Sequence, residues 1–406
     1  MANKIFYGWW IVLAGFLLTF YLSSIVFFGF TAFFEPLVQE FGWSYTQVSF
    51  AASLRGMEMG IFAPILGYLV DRFGSKKMAA FGIVTAVAGF FALSVTGSLP
   101  MFYASFLLLG LGAGACTNIV IMTAVANWFR KNVSKAMGMV SAGFGASGLM
   151  IPLIVMLIDS QGWRGALIVL GTVLLLLGLP VALILRDRPE KYGYLPDGES
   201  AESFAASGKS TREKPRGSFR SILRIKSFWF ISICECLRMM ALSAVVIHIM
   251  PYLNLLSIPR QTAGYIAAGL PLFSILGRFG LGWFGDTRDK RFMIALSYGL
   301  MALGLMALNF VNTTFFLFVF LVPFSVGFGG IAVLRGAMIL EYYGRETFGK
   351  TLGITLGAGS LGGVIGPTLA GLIYDLQGAY FLAWIIFSFL LVISLLLTLK
   401  IERPAL

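Results

Sequence analysis

Three stretches of this chain, Gly8 to Phe34, Phe102 to Ala126 and Ala383 to Leu399, contain no Lys, Arg, Asp or Glu. Each approaches the ~20 residues that a helix needs to cross a ~30 Å hydrocarbon core. Inside lipid no water satisfies backbone N–H and C=O groups, so a spanning segment must be a helix or part of a closed barrel. Barrel strands alternate over about ten residues, whereas these runs are longer and apolar on every side. The chain is 58% hydrophobic and 12% charged, about half the charge of a soluble domain. An all-α membrane protein follows.

Twelve spans can be read, at 8–33, 46–70, 77–97, 100–126, 134–159, 163–186, 226–252, 260–285, 291–310, 313–342, 349–374 and 378–400. The first is too long and too bulky, with Trp9 and Trp10, for a cleaved signal peptide. Cys116, Cys234 and Cys236 all fall inside spans and read as packing residues. With a single histidine in the chain, no metal site or cofactor motif is expected.

The net charge of +12 is distributed by side rather than by patch. Assigning alternate loops to opposite faces places 24 of the 30 Lys and Arg on one face and two, Arg164 and Arg260, on the other; four lie within spans. The positive-inside rule puts both termini and the long middle loop in the cytoplasm of a multi-pass cell-membrane protein. Nucleic acid is not an expected partner; the bilayer is, and the protein is expected to be monomeric.

The sequence repeats. Gly67 to Lys77 after span two is echoed by Gly282 to Arg291 after span eight, and the offset of 215 also links Gly112 to Gly327, Gly114 to Gly329, Gly138 to Gly353, Gly148 to Gly363 and Pro152 to Pro367. The expected architecture is two pseudo-symmetric six-helix bundles, 1–186 and 226–406, joined by a cytoplasmic linker at 187–225. That organisation belongs to carriers that rock about a midplane site. The linker's middle, 197–216, reads as disordered, and Ser218 to Lys226 as a basic amphipathic helix. Glycines in span five (Gly143, Gly145, Gly148) and span eleven (Gly357, Gly359, Gly362, Gly363, Gly366) read as close-packing surfaces, with Pro152 and Pro367 as kinks.

The loop Gly67-x3-Asp71-Arg72-x-Gly74-x-Lys76-Lys77 resembles the signature loop of the major facilitator superfamily. Tyr7-Gly8-Trp9-Trp10, Asn127-Trp128-Phe129-Arg130, Gly162-Trp163-Arg164 and Arg188-Pro189-Glu190 through Gly198 resemble the monocarboxylate transporter and oxalate/formate antiporter branch. The resemblance implies a secondary transporter, not an enzyme, in which Asp71, Arg72 and Asp286 act in gating.

Charges inside spans cost about 2.5–3.5 kcal/mol each on insertion scales, so they mark partners or wet cavities. Arg55 and Glu58, and Glu235 and Arg238, are each three residues apart and share a helix face, so each pair can neutralise itself or serve gating or coupling. Arg278 has no acid within four residues on its helix, and its repeat counterpart is Ala63. A guanidinium binds a carboxylate bidentately, and the resemblance implies that the span-eight arginine is the substrate anchor. The alternative for Arg278 is a bridge to an acid on another helix, and Arg335 reads as a gate residue or a second anchor. His248 could carry a coupling proton or bond a carboxylate, or merely face headgroups at a helix end. Asn118, Thr117 and Ser360 are further polar candidates for the cavity.

Two features of the resembled carriers are missing: the span-one lysine position falls near Phe27, and the residue four before Arg278 is Ser274 rather than an acid. The expected function is transport of a small organic anion, a monocarboxylate above all, by proton symport or anion exchange. Two alternatives stay open at this stage. One is a multidrug or other hydrophobic-solute carrier of the same fold, since 38 Phe and 8 Trp are available to line a cavity; the other is a non-transporting membrane sensor.

Overall fold

The computed structural model describes residues 6–116, 118–130, 132–198, 223–311 and 314–403. The expected disordered and amphipathic parts of the linker lie almost wholly outside them, as do Thr117 and the side chains of Arg55, Glu58, Asp71, Asn118 and Asp286. Among the described residues all regular structure is helical.

The first span is longer than expected. It runs through α1 (Gly8–Leu22), a π-helical segment (Ser23–Phe28) and α2 (Phe30–Phe41). α3 (Tyr45–Phe73), α4 (Ser75–Ser94), α5 (Leu99–Cys116) and α6 (Asn118–Trp128) follow. Span five is α7 (Val133–Ala146), a 3-10 turn (Ser147–Met150) and the start of α8 (Ile151–Val173); span six closes with a π segment (Leu174–Gly178) and α9 (Leu179–Ile184). After the linker come α10 (Lys226–Leu255), α11 (Arg260–Thr287), α12 (Lys290–Ala307), α13 (Thr314–Tyr343), α14 (Arg345–Gln377) and α15 (Phe381–Leu399).

Among the described residues, ten helical runs are long and apolar enough to cross a membrane. One of them, Lys135–Ile184, has 50 residues and is broken at Gly162, whose φ of 72° no helical residue adopts, so it holds two spans. The 29-residue α3 supplies another, which restores the twelve read from the sequence. Large apolar side chains such as Phe279, Phe315 and Leu376 are exposed by two thirds or more, as a lipid-facing surface requires.

Packing divides the chain into two compact units, Met1–Gly29 with Ile61–Glu213, and Phe30–Gly60 with Lys214–Leu406. The boundary therefore differs from the covalent repeat: α2 and the first half of α3 pack with the C-terminal helices.

Glycine permits the closest approaches within each unit. A Cβ on Gly143 of α7 would lie 2.6 Å from the Phe16 carbonyl oxygen of α1, and Cβ atoms on Gly362 and Gly366 of α14 would each meet backbone of Cys236 and Met240 in α10 at 2.8 Å. The repeat is visible as a contact. Gly112 sits against the backbone of Gly82 and Ala86 in the first unit, and Gly327 against Ser297 and Met301 in the second. All three positions are 215 apart. By contrast Gly353, Gly357 and Gly138 have open space where a Cβ would stand.

A proline inside α2 shows how backbone groups are kept satisfied. Pro36 has no N–H to offer the Ala32 carbonyl one turn back, and Arg260 Nη2 donates to that oxygen at 2.6 Å.

Gly366→Leu drives a branched side chain into the Met240 backbone, a misfit worth about 1–3 kcal/mol or more. The melting temperature of the purified protein is expected to fall, while Gly353→Ala leaves it unchanged.

Candidate functional site

The second unit contains a buried charge cluster built by three helices. Glu235 and Arg238, one turn apart on α10, are 2% and 4% exposed. The Glu235 carboxylate accepts from Arg238 Nε at 2.9 Å and Nη2 at 2.5 Å, and its Oε1 also accepts from Arg335 Nη1 of α13. Gly359 of α14 packs against it, where a Cβ would come within 3.0 Å of Glu235 Cγ. The expected pair on one helix face therefore exists, and Arg335 joins it from another helix. Two guanidinium groups share one carboxylate, so the triad keeps a net charge of +1.

Arg278 of α11 is the third cation in this region. Its guanidinium carbon stands 6.0 Å from the Phe328 ring of α13, a cation–π distance. Ser274, the position of the missing acid, is fully buried and donates to the Pro271 carbonyl of its own helix at 2.6 Å. Arg335 also lines a small recess with Tyr298, Cys234, Ile331, Met338 and Thr398.

His248 does not stand beside these arginines or face headgroups. It is fully buried where α10 meets α3, α14 and the start of α15. Its Nε2 lies 2.9 Å from Ser49 Oγ and 3.0 Å from the Pro367 carbonyl oxygen, and Nδ1 lies 2.8 Å from the Tyr380 hydroxyl. Ser360 donates to Leu356 on its own helix. Cys116, Cys234 and Cys236 carry free thiols.

Several partners of this second cluster carry no sequence mark of function. Asp375 of α14 accepts from Tyr45 N at 2.9 Å, Thr46 N at 2.8 Å and Thr46 Oγ1 at 2.5 Å, so a carboxylate 330 residues away caps the first turn of α3. Ser44 and Gln47 complete that helix start by bonding each other's backbone N–H.

At the basic end of the first unit the short motifs converge. Tyr7 donates to the Ile184 carbonyl, Trp128 to that of Arg186 and Asn127 to that of Asp187. The Arg130 and Asn132 amides donate to the Asp197 carboxylate. The carboxylate at the N-terminus of α4 belongs to Asp187, which accepts from the Lys76 amide at 3.3 Å, where Gly74 leaves room for it. Arg72 lies 5.4 Å from the Phe73 ring beside this site. In the second unit Asp289 caps α12 through the Arg291 amide, and Lys290 pairs with Glu341 at 2.7 Å.

The sequence model of the Major Facilitator Superfamily matches residues 12–286 and 239–406. The chain belongs to the Major Facilitator Superfamily. Its members are transporters and not enzymes. This major facilitator chain is similar to monocarboxylate transporter 12 of Mus musculus, 24% identical over 96% of the chain and 85% of the relative. It is also similar to monocarboxylate transporter 13 of Rattus norvegicus, 26% identical over 94% and 85%, and to monocarboxylate transporter 2 of Homo sapiens, 23% identical over 92% and 81%. Crystal structures of a bacterial homologue of the human lysosomal transporter Spinster, inward-facing, share the fold. The unoccupied form gives a TM-score of 0.72 at 16% identity and the occupied form 0.76 at 14%; in both, the likeness covers 99% of this chain and at least 96% of the other.

Removing one partner from a buried ion pair strands the other, at a cost of about 3–5 kcal/mol. Glu235→Gln, which leaves Arg238 and Arg335 facing each other without a carboxylate, is expected to lower the melting temperature sharply. Adding Arg335→Gln to the same protein should restore part of the loss.

Proposed function

We propose that this major facilitator carries a small organic anion, a monocarboxylate above all, by alternating access of two six-helix halves, 1–186 and 226–406. One observation carries the reading: among the described residues, α10 and α13 bring two arginines onto a single buried carboxylate, and α11 adds Arg278 against the Phe328 ring of α13. A cationic interior of this kind is costly in lipid. An anion that enters and leaves offsets the cost, and a cationic drug would meet repulsion there.

In this reading Arg278 is the anchor. Its planar fork holds a carboxylate by two parallel hydrogen bonds and remains charged at every relevant pH. Glu235 has a complementary task. It holds Arg238 and Arg335 in place between visits of the substrate and limits the site's excess charge, so that binding stays reversible. The relatives named as monocarboxylate transporters support the substrate class. The basic loops support a cytoplasmic position for both termini and the linker, in the cell membrane.

With Ser274 where the resembled carriers have an acid, the coupling proton of a symporter would have to ride on another group; exchange of one anion for another needs none.

The test is uptake of labelled acetate, lactate, pyruvate, formate and oxalate into proteoliposomes. Losing a buried charge-assisted contact costs about 2–5 kcal/mol, so Arg278→Gln and Arg278→Lys are expected to cut carboxylate uptake by roughly a hundredfold with the melting temperature little changed. Uptake that survives both changes removes Arg278 from the anchor role.

A further inference from the structure

We infer that His248 is a proton-binding site that controls the contact joining α3 to α10 and α14. The contact is continuous along three turns of α3. Asp375 caps its first turn, Ser49 meets His248 in the second, and Ser53 Oγ lies 2.8 Å from Thr368 Oγ1 in the third. Gly371 keeps the two backbones close, since a Cβ there would stand 2.9 Å from both Ser49 Oγ and Thr46 N. Tyr45 packs on Tyr374 with ring centroids 4.1 Å apart and donates to Glu35 at 2.5 Å.

The hydrogen bonds fix the histidine tautomer. The Pro367 carbonyl can only accept, so Nε2 carries the proton. Ser49 already donates to the Tyr45 carbonyl at 2.6 Å, so its oxygen is a second acceptor for that N–H. Nδ1 is therefore the bare nitrogen and accepts from the Tyr380 hydroxyl. A second proton on Nδ1 turns an acceptor into a donor, so the Tyr380 hydroxyl must turn its O–H away and accept instead. It also places a full charge in a site from which water is excluded. Protonation and the closed contact oppose each other, and by linkage acid must favour the open form.

The other ionisable groups around the ring are Glu35 on α2, Tyr45 on α3, Tyr252 on α10, Tyr374 and Asp375 on α14, and Tyr380 before α15; Arg260 at the start of α11 is engaged with Ala32. Neutral tyrosines do not titrate in the physiological range. The carboxylates do carry charge, and a glutamine at position 248 separates their response from that of the ring. Its amide can donate where Nε2 donates and accept where Nδ1 accepts, but it takes up no proton.

The experiment reads opening directly and needs no substrate. Ser53→Cys, fully buried in the contact, is placed in a background with Cys116, Cys234 and Cys236 changed to serine. Its reaction with a soluble thiol reagent is timed in nanodiscs at pH 7.5 and 5.5, each rate divided by that of free cysteine at the same pH, because the thiolate fraction itself falls with acid. A histidine in water titrates near 6.5; if only the open form binds the proton, labelling accelerates about tenfold between those values. His248→Gln is expected to label slowly at both. Tyr380→Phe removes the donor that occupies Nδ1 and so weakens the closed contact, and labelling is expected to be faster at both pH values; this second variant keeps the wild-type ring. Equal normalised labelling at both pH values, a full response retained by His248→Gln, or rates unchanged from the parent in Tyr380→Phe each overturns the inference.

Discussion

Every backbone polar group in the hydrocarbon must find its partner within protein, and the rest of this structure follows from that constraint. It enforces helices, and because lipid offers no hydrophobic drive between them, they adhere only where backbones come close. The glycines of α5, α7, α13 and α14 provide those approaches. Where a proline breaks the internal ladder of α2, an arginine from α11 takes over the orphaned carbonyl.

The same economy governs charge. Glu235 touches two guanidinium groups rather than one, so a single acid holds two helices, α10 and α13, together. Polar side chains elsewhere in the spans turn to carbonyls of their own helices, as Ser274 and Ser360 do. The groups not absorbed this way, the arginine cluster and His248 with its neighbours, are where binding and control have been proposed.

Fold and repeat could be read in the sequence because both arise from strong, local or periodic signals. Uncharged runs announce spans, and one constant offset announces duplication; the offset reappears in space as Gly112 and Gly327 resting on equivalent backbone. The Glu235–Arg238 bridge was legible from its spacing. The third member was not, since Arg335 is 100 residues away and nothing local marks which helix it faces. Asp375 and Asp187 were invisible as helix caps for the same reason: a cap normally sits beside the helix it serves, whereas Asp375 arrives from α14 and Asp187 from the segment after α9. Asp71 and Asp286 attracted attention through their motif, and the described caps at the corresponding helix starts are Asp187 and Asp289. His248 looked like a helix-end residue because hydropathy does not reveal three simultaneous hydrogen-bond partners.

Arg260 is one of only two basic residues in the loops of the side poor in positive charge. During biosynthesis a cation there works against the orientation that the other loops favour, so its presence has to be explained by what it does in the finished protein. Bonding the carbonyl freed by Pro36 is such a reason. The pair makes a thermodynamic couple: with an ordinary residue in place of Pro36, Arg260 must share its acceptor with a backbone N–H, and without Arg260 the proline leaves the buried Ala32 oxygen without this donor. Neither substitution is neutral unless the other accompanies it.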